Sequence, residues 1–362
     1  MGEAAASAAA FSFSGMYDSM VEPIRKTREI AGLAPDAIPY AELLESGQPA
    51  ILKGVAAGWP LVAHGRESAA SAIAYLKTFS SPRPAVLYEG SADIGGRFFY
   101  NDEFTGLNFT AQRAPLAESL TRIESHLADA RPPGYYIGST DVDAFLPGLR
   151  AANDLELDDP MFALAAPVVS IWIGNRTIAS AHFDLSHNLA CCMVGRRRFT
   201  LFPPEQVHNL YPGPLEPTPG GQVVSIVDFR APDFDRFPRF RDALAAGEVA
   251  NLEPGDVLFY PSMWWHHVEA LDSFNAMINY WWNTTPAFLN SPHDTLLHAL
   301  LSLRDRSDAE KRAWRELFDY YVFGPADVAG GHLPEPARGN LGPMDETKAR
   351  RLRALLLGRM NR

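Results

Sequence analysis

Between residues 84 and 282 the chain keeps returning to short apolar runs, each broken by Pro, Gly, Asn or Asp. The spacing predicts strands over 84–88, 97–100, 134–137, 168–174, 188–194, 197–202, 222–227, 256–260 and 276–282. Runs this short, with turn residues rather than helices between most of them, do not build βαβ crossovers. They predict an antiparallel sandwich or barrel. Helical periodicity interrupts the pattern in "SAASAIAYLKTF", where Ile73, Leu76 and Phe79 share a face, and in "LAESLTRIESHLADA". No internal repeat is present at a period of about 20–50 residues.

The character changes after "TTPAFLNSP". Leu296, Leu297, Leu300, Leu301 and Leu303 form an apolar helical face, and Ser307 with Glu310 makes an S-x-x-E capping box. A Pro/Gly-rich stretch then leads to a last helix over 345–360 carrying Leu352, Leu355, Leu356 and Met360. Helices this apolar either cover the barrel or pair with a second chain.

Composition narrows the class. Apolar residues make up 47% and charged residues 21% of 362, the balance of a soluble globular chain with a sizeable core. A net charge of −11 argues against a general nucleic-acid binder. The first twenty residues, "MGEAAASAAAFSFSGMYDSM", have no basic region and carry Glu3, so they do not read as a secretory signal. No apolar run reaches the roughly 18–20 residues of a membrane span. The two cysteines, Cys191 and Cys192, are neighbours on a predicted strand and point to opposite faces, which excludes a disulfide framework. A cytoplasmic location is the expectation.

One stretch breaks the apolar rule. "AHFDLSHN", residues 181–188, places His182, Asp184, His187 and Asn188 at a strand end. His182 and Asp184 are two apart on an extended segment and so share a face. An H-x-D pair alone is common in loops. Here, however, "PGDVLFYPSMWWHHVEAL" follows later in the same all-β region and offers His266 after a buried strand. Two imidazoles and one carboxylate, with open positions opposite, form the facial triad of non-haem Fe(II) oxygenases, and no cysteine ligand suggests a closed structural zinc site. His187 has the wrong parity, and His267 points away from His266, as a packing or supporting residue. Such iron chemistry needs an electron-supplying co-substrate. In "VGRRRFTLFPP", Arg197 is placed to grip the carboxylate of a 2-oxo acid, while Arg196 and Arg198 have the opposite parity. Tyr100, Tyr136, Asn188 and Asn279 are polar groups on otherwise apolar strands and need partners when buried.

Taken together, "AHFDLSHN", "GRRRFTLFPPEQVHNLYPGP", "VDFRAPDFDRFP", "PGDVLFYPSMWWHHVEAL" and "INYWWN" resemble the JmjC/cupin family of 2-oxoglutarate oxygenases. Within it the chain is most like the asparaginyl hydroxylases and their bacterial cupin-like relatives. The similarity is dense over 181–282 and thinner but collinear over 48–174, through "QPAILKGVAAGWP", "RFFYNDE" and "GYYIGST". The resemblance implies a mainly β fold with flanking helices, a double-stranded β-helix of cupin or jelly-roll type. It implies Fe(II) held by His182, Asp184 and His266, with 2-oxoglutarate and O2 as co-substrates. Arg197, where the family carries Lys, and Tyr136 would meet the distal carboxylate of 2-oxoglutarate. Asn188 and Asn279 match further co-substrate positions, Tyr100 a tyrosine on the substrate side and Trp281 an aromatic wall. One position departs from the pattern: a co-substrate Thr falls at Ala179, so either Ser180 or Thr177 replaces it or that hydrogen bond is absent.

The expected organisation is an N-terminal tail over 1–20, a catalytic domain over 21–288 and a C-terminal helical region over 289–362 that makes a homodimer. The expected activity is hydroxylation of a protein or peptide side chain. The same chemistry on a small molecule or an RNA nucleoside, and a non-catalytic metal-binding cupin dimer, are the alternatives.

Overall fold

The computed structural model describes residues 25–163 and 166–361. The expected N-terminal tail lies outside the described residues. The chain divides into two compact units, Met1–Asn283 and Thr284–Arg362.

The first unit holds two β-sheets. The smaller runs, in spatial order, β1 (Arg25–Lys26), β12 (Glu248–Leu252), β11 (Arg197–Phe202), β14 (Trp265–Ala270), β9 (Ile178–Phe183) and β5 (Arg97–Phe98). The larger runs β2 (Arg28–Ile30), β3 (Ala50–Leu52), β13 (Val257–Tyr260), β10 (His187–Val194), β15 (Asn275–Trp282), β8 (Val168–Gly174), β7 (Gly134–Asp141), β4 (Pro84–Gly90) and β6 (Thr110–Pro115). Most pairings are antiparallel as expected, but β1–β12, β2–β3 and β5–β9 are parallel, so both sheets are mixed.

Alternation along the strands builds separate cores. Ala190, Cys192, Phe199, Leu201, Leu258, Tyr260, Val268 and Met277 come from both sheets and fill the space between them. Leu189, Cys191, Phe259, Ile278 and Tyr280 face the other way. They pack with Leu61, Ile73, Leu76, Leu116 and Leu120 from the helices Pro60–Glu67, Ala69–Phe79 and Leu116–Ser125. The outer face of the smaller sheet is closed by Phe202, Trp265, Phe229 and Phe240, the last on helix Phe240–Ala246. Each such side chain contributes about 1.5–3 kcal/mol on burial. Both cysteines are free and buried.

The strand expected over 222–227 does not form. Ser225 makes one isolated bridge to Pro212, and the backbone of this segment divides its hydrogen bonds between partners. Gly213 donates to Val224, Ile226 to Tyr211 and Ser225 to Ala181, so no ladder develops.

The second unit is helical: Pro292–Leu303, Asp308–Phe318, Ala326–Gly331 and Glu346–Met360. The Ser307–Glu310 capping box is present in both directions, and Asp345 caps the last helix through the Lys348 N–H. Its apolar side chains stay largely uncovered, with Leu301 80% and Phe323 76% exposed.

Candidate metal centre

The stretch that interrupts the apolar pattern is where the chain changes sheets. Strand β9 ends at Phe183 in the smaller sheet, and β10 begins at His187 in the larger one. Asp184 sits on that crossing. Antiparallel pairing of β9 with β14 sets His182 opposite His266. The result is a cluster in which one ligand atom from each of His182, Asp184 and His266 lies within 4.8 Å of the others. His266 Nε2 is 3.7 Å from Asp184 Oδ2, and the two imidazole centroids are 4.2 Å apart.

Backbone carbonyls fix the chemistry of both rings. His182 Nδ1 donates to the Ser180 carbonyl at 2.9 Å, and His266 Nδ1 to the Trp264 carbonyl at 3.0 Å. Each Nε2 is therefore left as the lone-pair nitrogen, the tautomer a metal requires. Burial, aided by neighbouring His182 and opposed by Asp184, pushes His266 down to about 4, so the ring is neutral at neutral pH. Two imidazoles and a carboxylate converging from one side are a donor set that suits Fe(II).

The aspartate is held in turn. Asn188 Nδ2 donates to Asp184 Oδ2 at 3.1 Å, Asn279 Nδ2 to Asn188 Oδ1 at 3.5 Å, and Trp172 Nε1 to Asn279 Oδ1 at 2.7 Å. These groups lie side by side on β10, β15 and β8, all pointing between the sheets. Asn188 and Asn279, expected beside a co-substrate, thus also form a relay that orients a metal donor.

Arg197 points into the same space, on the face of β11 that carries Phe199 and Leu201. It is 3% exposed, its Nε has no acceptor, and it has no ion pair among the described residues. Burial lowers its pKa. Arg196, by contrast, pairs with Asp272, as its opposite parity foretells. The Tyr136 hydroxyl lies within electrostatic reach of Arg197, and burial raises its pKa, so it stays a proton donor.

A cavity of about 340 Å³ opens beside the cluster, lined at this end by His182, Ala179, Tyr136 and Trp172. Ala179 shares a side with His182 because a bulge sets two residues of β9 opposite one of β14. Both expected substitutes for the missing Thr line the cavity, though Ser180 Oγ also accepts from Arg97 at 3.3 Å. Trp281 stacks edge-on to Trp172 at 5.7 Å, with its indole N–H unpaired. Tyr100 is buried with its hydroxyl donating to the Pro214 carbonyl at 3.2 Å and is not among the lining residues.

Two residues without an assigned role brace the centre. Met263 adopts φ 68° before β14, and its N–H bonds the Asp184 carbonyl at 2.8 Å. Next to it, the Ser262 N–H donates to His187 Nδ1 at 3.3 Å. His187 is no bystander: it ties the turn before His266 to the turn bearing Asp184. His267 packs outward against Phe229 at 4.4 Å, away from the cluster.

The sequence model of the cupin-like domain matches residues 35–288, most of the chain. The chain belongs to the cupin-like domain family. Among the similar proteins, human HSPB1-associated protein 1 is 40% identical over 114 residues, which cover 31% of this chain and 23% of that protein. Lysine-specific demethylase JMJ31 of Arabidopsis thaliana is 30% identical over 132 residues, 36% of this chain and 24% of that protein. Lysine-specific demethylase 8 of Danio rerio is 25% identical over 292 residues, 75% of this chain and 63% of that protein. The first of these matches span about a quarter of each relative. Family membership places the chain in the JmjC-like group of cupins, and its histidine–aspartate–histidine cluster is consistent with Fe(II) binding there. No described helix in this cupin-like chain is long and apolar enough to cross a membrane.

Proposed function

We propose that this chain is an Fe(II)- and 2-oxoglutarate-dependent oxygenase that hydroxylates a C–H bond of a protein or peptide side chain, in the manner of the asparaginyl hydroxylases it resembles. The observation that carries this reading is that the His182–Asp184–His266 cluster shares one inter-sheet space with a buried Arg197 whose Nε has no acceptor and which has no ion pair among the described residues. A buried guanidinium without a counter-charge is costly, and a dicarboxylate held by the metal at one end would supply that charge.

His182, Asp184 and His266 would hold the iron, which when bound supplies O2 activation coupled to 2-oxo acid decarboxylation. Carbonyl-anchored Nδ1 atoms keep both imidazoles aimed, and Asn188 keeps Asp184 from rotating. Arg197 would fork the distal carboxylate, with the protonated Tyr136 hydroxyl as a further donor. Trp172 and Trp281 wall the space and keep water from the reacting groups.

The test is anaerobic titration with Fe(II) and 2-oxoglutarate, followed by succinate measurement after air is admitted. Stoichiometric binding and slow substrate-free succinate release are the expected result. No binding overturns the reading outright, and binding without succinate overturns it in favour of a metal-binding cupin without turnover.

We further propose that the second unit pairs with another copy of the chain. Its uncovered Leu301, Val322, Phe323 and Leu357 support this. A monomeric mass by light scattering at micromolar concentration would refute it.

A further inference from the structure

We infer that the substrate is an extended, largely apolar molecule bearing an acidic group, and that Arg113 holds this group at the far end of the cavity. The inference rests on the oxygenase reading above and extends it to the substrate class.

The cavity follows a row of side chains across the larger sheet. Arg113 on the edge strand β6 stands opposite Val86 on β4, Tyr88 on β4 stands opposite Tyr136 on β7, and Trp172 follows on β8. All five line the cavity. Strands lie about 4.8 Å apart, so the three gaps from β6 to β8 separate Arg113 from Trp172 by about 14 Å. A five-carbon diacid held between the metal donors and Arg197 does not reach Arg113. The intervening length belongs to a different molecule.

Its floor is apolar and slotted. A Cβ on Gly138 would sit 3.4 Å from the rings of both Tyr88 and Trp172, so the bare glycine leaves a gap between two aromatic faces. Phe98 and Phe109 add further aromatic wall. Such a channel takes a chain of methylenes or an extended apolar segment, and offers few hydrogen bonds along its length.

Its far end is positive. The chain carries 43 acidic residues against 32 basic ones, yet no Asp or Glu lines this cavity. Arg113 is exposed at the mouth and makes no hydrogen bond or ion pair among the described residues. At the inner end Arg197 and Asp184 both act on Tyr136, so the two signs meet there and the distinguishing charge is that of Arg113. A cleft whose mouth carries one sign of charge concentrates ions of the other and repels its own. A cationic substrate such as a methylated lysine would meet Arg113 on the way in, whereas a carboxylate would find a partner there. An edge-strand charge also deters strand pairing between molecules, so the decisive readout is selection by charge rather than activity alone.

Acidic peptides and free carboxylic acids offer this chemistry equally, and the experiment has an arm for each. One arm uses ten-residue peptides with a single fixed Glu or a single fixed Lys, all other positions being randomised among neutral residues. The other compares decanoate with decylamine. Oxidation is read as the gain of one oxygen by mass, with Fe(II), 2-oxoglutarate and air supplied. The native chain is expected to favour the anionic member of at least one pair by roughly tenfold, a size typical of one charge contact. Arg113→Glu should reverse that ratio and Arg113→Lys should keep it. Because a ratio is read, partial loss of folded protein cancels. Equal rates on both members of each pair, a ratio unmoved in Arg113→Glu, or no oxidised probe despite substrate-free succinate release would overturn the inference. Absence of succinate release from the native chain instead removes the oxygenase reading on which it stands.

Discussion

Asn188 donates its side-chain N–H to Oδ2 of Asp184 at 3.1 Å, across the point where the chain passes from one sheet to the other. The carboxylate is thereby positioned by a strand of the larger sheet, while both imidazoles belong to the smaller one. Outer-shell partners of this kind typically carry 10–100-fold in metal affinity. Asn188→Ala is expected to weaken Fe(II) or Co(II) binding by about that factor. It should also cost about 1–3 kcal/mol of stability, because the buried Asn279 amide loses its acceptor. A metal titration indistinguishable from the native chain would show that Asp184 orients itself.

Two buried histidines make the metal-free protein acid-sensitive. Burial lowers His266 to about 4 and His267 to about 3, from an unfolded value near 6.5. Between these limits the unfolded chain binds protons that the folded chain refuses, so stability falls as pH falls. The slope is about 1.4 kcal/mol per pH unit for each histidine once the pH is well below 6.5. Urea midpoints of the metal-free protein should therefore drop steadily from pH 6.5 towards pH 4. His267→Phe, which preserves the stacking on Phe229, should make the decline shallower. A flat profile over this range would contradict the burial of both rings.

Much of this arrangement was legible in the sequence because strand parity is a strong constraint. Arg197 faces inward with Phe199 and Leu201, whereas Arg196 pairs outward with Asp272, and the two-residue spacing alone separates them. His182 and Asp184 were legible as a same-face pair from their two-residue spacing, whereas the strands that bring His182 opposite His266, Ile178–Phe183 and Trp265–Ala270, were not among the expected runs. What was not legible depends on pairing between distant segments. The strand Thr110–Pro115 is polar, ends in proline and lies on an edge, so it carries no apolar alternation to read. The segment 222–227 is rich in β-branched residues, but its backbone partners are scattered. The bulge that turns Ala179 toward the cavity and the Ser262–His187 contact both arise from local register, which no single stretch encodes.

Arg197 sets stability against binding. A buried guanidinium without a partner costs several kcal/mol of effective desolvation. Arg197→Met keeps most of the aliphatic volume and removes the charge. The metal-free variant is expected to melt at or above the native temperature, while 2-oxoglutarate affinity, measured anaerobically with the metal present, falls by about two orders of magnitude or more. Lower stability with unchanged co-substrate affinity would mean that Arg197 is structural.

Tyr280 provides the opposite case, a buried polar group on the far face of the same strand as Asn279. Its hydroxyl donates to Asp154 Oδ1 at 2.6 Å and accepts from the Leu155 N–H at 3.1 Å, and its ring is fully buried among the helices. Tyr280→Phe leaves the Leu155 N–H without an acceptor in a dry environment, a loss of about 1–3 kcal/mol. The urea midpoint should fall with an unchanged slope, since the surface exposed on unfolding stays the same. Because alternate residues of β15 point to opposite faces, the relay through Asn279 is left intact and metal affinity should not change. A variant that lost metal along with stability would show that the helix-covered core and the inter-sheet space are coupled through β15 rather than separated by it.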